Sequence, residues 1–135
     1  MPDDVLVQKS EIIENCIHRI RDVYDQRPEN LRDDFTKQDS ILLNLERACQ
    51  AAIDGAARLC RMKMLGIPKE SRESFTLLEK AGLLPSELAE KMRKMVGLRN
   101  VAVHAYQTLD LDLVENVIQN HLVDFESFVR FMLTR

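Results

Sequence analysis

Apolar residues recur at three- and four-residue spacing along almost the whole chain, a period that an α-helix turns into a single face. Ile12, Ile13, Cys16, Ile17, Ile20 and Tyr24 form one such stripe and predict a helix over residues 5–24. The polar stretch 26–37, with Pro28 and clustered aspartates, reads as a loop. A second, long helix, capped by Thr36 or Asp39, runs to about Leu65 with Leu42, Leu45, Cys49, Ala52, Ile53, Ala56, Leu59 and Cys60 on its core face. Gly66 and Pro68 end it. Residues 71–80 predict a short helix, and Gly82 followed by Leu83 fits a left-handed C-terminal cap with its apolar contact. Pro85 suits the first turn of the next helix, which carries Leu88, Met92, Met95 and Val96 inward. A last helix over about 110–133 shows Leu113, Val117, Leu122, Phe125, Phe128 and Met132. Four Gly and four Pro in 135 residues and no alternating pattern favour helices over a strand-rich sandwich or barrel. The predicted fold is all-α: an antiparallel bundle of four main helices plus a short one, in a single domain over residues 1–135.

Cys16, Cys49 and Cys60 form no C-x-x-C pair and no Cys/His cluster, so neither a disulfide framework nor a metal site is indicated; no metal and no cofactor are expected. Pro2-Asp3-Asp4 is the opposite of a basic signal-peptide start. No apolar run approaches the roughly 18 residues of a membrane span, so the expected setting is the reducing cytoplasm, with no membrane partner. The net charge of −3 conceals a split. Between Arg58 and Arg99 stand ten Lys and Arg against five Glu, a net of +5, which leaves −8 on the remainder. A localised polyanion-binding surface has this asymmetry, and so does a pair of solvated, ion-paired helix faces.

Residues 99–106 read Arg99-Asn100-Val101-Ala102-Val103-His104-Ala105-Tyr106. An arginine, a histidine and a tyrosine stand here among small and apolar residues, a poor composition for a solvated helix face. A guanidinium pairs with phosphate oxygens, and an imidazole moves a proton near neutral pH; a metal-free phosphodiester reaction needs both. At about 100° per residue, Arg99 lines up with Met92, Met95 and Val103, whereas Asn100 and His104 lie one turn apart beside Arg93 and Gly97. Arg99 and His104 are then about 140° apart, so one straight helix does not aim both at one phosphate. Either the helix ends or distorts near His104, or two copies of the motif meet across a two-fold dimer. An inward guanidinium needs a partner, and Asp54, within Ala51-Ala52-Ile53-Asp54-Gly55-Ala56-Ala57, is the best internal candidate. Tyr24 and the phenylalanines Phe75, Phe125, Phe128 and Phe131 read as packing. His18 and His121 show no partner pattern.

The octad, R-N-x-x-x-H-x-Y, resembles the signature of HEPN proteins of the HepT type, the ribonuclease toxins of prokaryotic toxin–antitoxin pairs. The resemblance implies a HEPN-type helical domain over the whole chain that forms a homodimer, with both motifs lining one cleft. It implies metal-independent endoribonuclease activity on an RNA substrate, with Arg99 and His104 as the catalytic pair and Asn100 and Asp54 in support. It also implies a cognate nucleotidyltransferase antitoxin of the MNT type that silences the toxin by transferring AMP to Tyr106. Arg93 and Lys94, in the basic segment, are candidate RNA contacts. Two other readings compete: a noncatalytic helical subunit that binds substrate or nucleotide for a nucleotidyltransferase, and a structural dimerisation bundle built on an Arg99–Asp54 ion pair.

Overall fold

The computed structural model describes residues 3–104 and 110–135; the side chains of Pro28 and of residues 101–104 lie outside the described set. Among the described residues all regular structure is helical: α1 (Asp4–Gln26), α2 (Phe35–Met62), α3 (Glu73–Lys80), α4 (Ser86–His104), α5 (Leu111–Asn120) and α6 (Leu122–Leu133). A single 3₁₀ turn, Pro28–Asn30, lies between α1 and α2. The all-α expectation holds, and each helix begins or ends for a legible reason.

At the start of α1, Asp3 accepts from the backbone amides of Val5 at 3.0 Å and Leu6 at 3.2 Å, and Arg58 of α2 donates to the same carboxylate at 2.8 Å. That hydrogen bond from Arg58 holds the Asp3 carboxyl below its usual range. The cap of α2 is Asp34, which accepts from the amide of Lys37 at 3.0 Å, and not Thr36 or Asp39. Starting at Phe35 lets Gln38 Nε2 donate back to the carbonyl of Leu31 at 2.7 Å and Lys37 Nζ to that of Arg27, satisfying loop carbonyls that a later start would strand. At its other end α2 stops at Met62, a little short of Leu65. Met64 takes a left-handed φ of 53°, and the Leu65 amide donates to the Cys60 carbonyl at 2.9 Å. Gly82, at φ 75°, closes α3 as expected, with the Leu83 amide donating to Leu78 at 3.1 Å.

The expected last helix is in fact two. His121 interrupts it at φ −123°, ψ −3°, and its Nδ1 lies 3.0 Å from Asp124 Oδ2. The break lets α5 and α6 serve different neighbours. On α5, Glu115 accepts from the Tyr24 hydroxyl at 3.1 Å and Gln119 donates to the same oxygen at 3.0 Å, while Arg32 pairs with Asp112. On α6, Phe125, Phe128 and Met132 enter the core. Tertiary contacts override local propensity here, since 110–133 contains no Gly or Pro.

The core lies between α1, α2 and α6 and extends under α3 and α4. Ile13, Ile20, Ile41, Ala48, Leu59, Phe75, Leu78, Ala89, Met92 and Phe128 are essentially inaccessible. Phe75 meets Phe128 edge to face, with ring centroids 5.4 Å apart. A Cβ at Gly55 would run into the Met132 thioether, so glycine leaves room for that α6 side chain against α2. Among the described residues no helix is long and apolar enough to cross a membrane.

Candidate active site

Helix α4 carries residues 99–104 of the motif at its C-terminal end, with Met92, Met95 and Val96 buried as it packs on α2, α3 and α6. The helix runs through His104, whose side chain lies outside the described residues, as does the whole of Tyr106. Arg99 and Asn100 can be placed. Arg99 is half-buried on the core side of α4, as the helical projection predicts, and its Nε is fully covered with no hydrogen-bond partner among the described residues. Beneath it stands Cys49 of α2, whose thiol donates to the Met95 carbonyl at 3.8 Å. Burial pushes the Cys49 thiol up to about 12, with the nearby Arg99 guanidinium pulling against that rise. The thiol therefore stays neutral, and it offers Arg99 no negative charge.

The expected pairing of Arg99 with Asp54 is not formed. Asp54 takes Lys9 of α1 at 3.4 Å and Gln50 at 2.9 Å. Its position in an apolar run is explained by a neighbour on α1, far from the motif in sequence. None of the ion pairs among the described residues takes Arg99. A half-buried guanidinium with an orphan N–H and no ion pair among the described residues is poised for an anion brought from outside.

Asn100 is exposed on another side of α4, where it lines a hollow of about 280 Å³ with Val96 and with Glu70, Ser71 and Arg72 from the approach to α3. Arg72 reaches this hollow over Gly97: a Cβ built on Gly97 would lie 2.6 Å from Arg72 Nη2. Glycine inside a helix was the one sequence sign of a close approach here. On the opposite flank of α4 a more apolar groove of about 380 Å³ is lined by Met95, Leu98, Leu113, Val117, His121 and Asp124, with Lys91 and Lys94 at its edge. Asp124 is buried and satisfied by His121 at 3.0 Å and Lys91 at 3.9 Å, a partnership not anticipated for His121 although the three-residue spacing was visible.

Several cations of the basic segment are engaged. Arg58 pairs with Asp3, Lys91 with Glu87 and Asp124, Arg93 with Glu79 at 2.9 Å, and Lys94 with Glu90 at 3.4 Å. The hydrogen bond from Arg93 holds the Glu79 carboxyl below its ordinary range, so Arg93 ties α4 to α3. Lys94 is 76% exposed, and a screened pair of this kind leaves its ammonium available. Among the described residues no group of His, Cys, Asp and Glu could hold a metal ion.

Comparison with known proteins gives this geometry a context. Residues 13–132 match the family model described as Ribonuclease HepT-like. The chain is 49% identical over 127 residues to the mRNA nuclease HepT of Shewanella oneidensis, covering 94% of this chain and 95% of that protein. It is 27% identical over 103 residues to a putative RNase of Archaeoglobus fulgidus, covering 76% of each. Among solved structures, the tri-AMPylated Shewanella oneidensis HEPN toxin in complex with MNT antitoxin superposes with a TM-score of 0.93 at 47% identity, covering 98% of this chain and 99% of that one. The family model spans most of the chain and the first relative exceeds what chance or fold alone produces, so the chain belongs to the HepT-like ribonuclease family.

Proposed function

We propose that this protein is the toxin of a toxin–antitoxin pair: a metal-independent endoribonuclease that acts through Arg99 and His104 and is silenced by AMP transfer to Tyr106. The observation that carries the reading is Arg99, a half-buried guanidinium with an unpartnered Nε that none of the ion pairs among the described residues takes. A structural ion-pair arginine would have its acid in place.

RNA brings its own nucleophile, the 2′-hydroxyl, so the protein has only to move protons and stabilise charge. His104 takes the 2′ proton as that oxygen bonds to phosphorus. The bond from phosphorus to the 5′-oxygen breaks, and the departing oxygen takes a proton from the protonated imidazole of a second copy's motif. Arg99 holds the phosphate and stabilises the charge that builds on its oxygens, while Asn100 orients the substrate. The ends left are a 2′,3′-cyclic phosphate and a 5′-hydroxyl.

One imidazole cannot be base and acid at the same instant. The angular separation of Arg99 and His104 on one helix points the same way, so the working unit we propose is a two-fold homodimer with both motifs on one cleft. Light scattering tests this: a dimer at micromolar concentration is expected, and an active monomer would overturn it.

The relative from Shewanella oneidensis is seen tri-AMPylated and bound to MNT antitoxin. By likeness, a nucleotidyltransferase of that type is the partner here and the Tyr106 hydroxyl is the acceptor. A nucleotide there adds bulk and negative charge two residues beyond His104 and competes for Arg99. The reading is tested by incubating the purified protein with single-stranded RNA and identifying the new ends. Cyclic phosphate ends are expected, and intact RNA would overturn it.

A further inference from the structure

We propose that Arg72 is a second phosphate-binding residue of this ribonuclease, holding an RNA phosphodiester next to the one that Arg99 holds; the inference rests on the nuclease reading above. Arg99 turns toward the core side of α4, so the exposed side that carries Asn100 lacks a cation of its own from the motif. Arg72 supplies one from the foot of α3. Its guanidinium lies against the α4 backbone at Gly97, with Nη2 2.6 Å and Cζ 3.6 Å from where a Cβ would stand, and any side chain at position 97 would displace it. Positions 97, 100 and 104 follow one another along a single face of a helix. Arg72 and Asn100 line the same hollow.

The charge on Arg72 is available. It is exposed, and none of the ion pairs among the described residues takes it, whereas Arg93 beside it is committed to Glu79. A guanidinium held against a helix by one terminal nitrogen keeps its other N–H groups for phosphate oxygens. Asn100 adds amide donors beside it. Glu70 is the one acid of the lining and is exposed on its rim, so it opposes a phosphate and moderates the site. A single-stranded RNA crossing the end of α4 would thus meet Arg99 on one side and Arg72 on the other, which fixes two successive phosphates and the strand's path over the helix.

The test uses the full-length protein carrying His104→Ala, so that RNA stays intact, with a short fluorescein-labelled single-stranded RNA read by anisotropy over a series of KCl concentrations. Arg72→Gln is expected to weaken binding about three- to tenfold near 0.1 M salt and to reduce the slope of log K against log salt by about 0.7, one phosphate contact on a single strand. Arg72→Lys should keep the slope, Glu70→Gln should tighten binding, and Lys80→Gln, an exposed charge at the far end of α3, should leave the slope unchanged. An unchanged slope in Arg72→Gln, an equal loss in Lys80→Gln, or no RNA binding by the parent would each overturn the proposal. Cleavage of the same RNA by protein with His104 intact judges the nuclease reading separately, because the salt slope is measured without catalysis.

Discussion

Lys9 and Asp54 meet across the α1–α2 pairing at 3.4 Å, so the acid set among the small residues of α2 is satisfied without Arg99. The two residues have separable roles. Asp54 is 41% exposed, and an ion pair at that exposure contributes less than about 1 kcal/mol. Asp54→Ala is therefore expected to shift the urea midpoint only slightly and to leave RNA cleavage near the parent level, while Arg99→Ala removes cleavage. A folded Asp54→Ala protein without activity would place Asp54 in the catalytic apparatus after all.

The three thiols are buried and free. Burial raises all three, Cys49 to about 12. A thiol raised in the folded state contributes stability that is complete below its unfolded value, about 8.5, and that fades as pH climbs toward the folded value. Native protein is expected to resist a thiol-specific disulfide reagent at about pH 8 and to react with three equivalents once unfolded. The denaturation midpoint should fall as pH rises above about 9, and less steeply in Cys49→Ala if that variant folds. Rapid labelling of the native protein would contradict the burial of these groups.

Tyr106→Phe keeps the ring and deletes the hydroxyl. Incubated with the cognate nucleotidyltransferase, ATP and magnesium, the parent should gain mass in AMP increments and lose cleavage in proportion, whereas the variant gains none. Modification of the variant at the parental rate would show that another residue is the acceptor.

Helix existence and core faces were legible because burial enforces the 3.6-residue period, from Ile13 on α1 to Met132 on α6. The Gly82 turn was legible because a left-handed cap has its own residue chemistry. The break at His121 was not, because it answers to Tyr24 and Arg32, a long way off in sequence, and not to any local breaker. The same limit applies at the site. Arg99, Asn100 and His104 stand out as a cluster in one stretch, but the partners of Asp54 and the reach of Arg72 over Gly97 come from other helices. Pairings between helices leave little trace in a single chain's pattern.

Metal-free cleavage of RNA by Arg99 and His104 is tested by the cleavage rate in EDTA for the parent and for Arg99→Ala and His104→Ala, each checked for helical circular dichroism. Full parental activity is expected in EDTA, with a loss of about a hundredfold to ten-thousandfold in each variant and the helical signal retained. Cleavage that stops on chelation, or folded variants that cut RNA as fast as the parent, would contradict it.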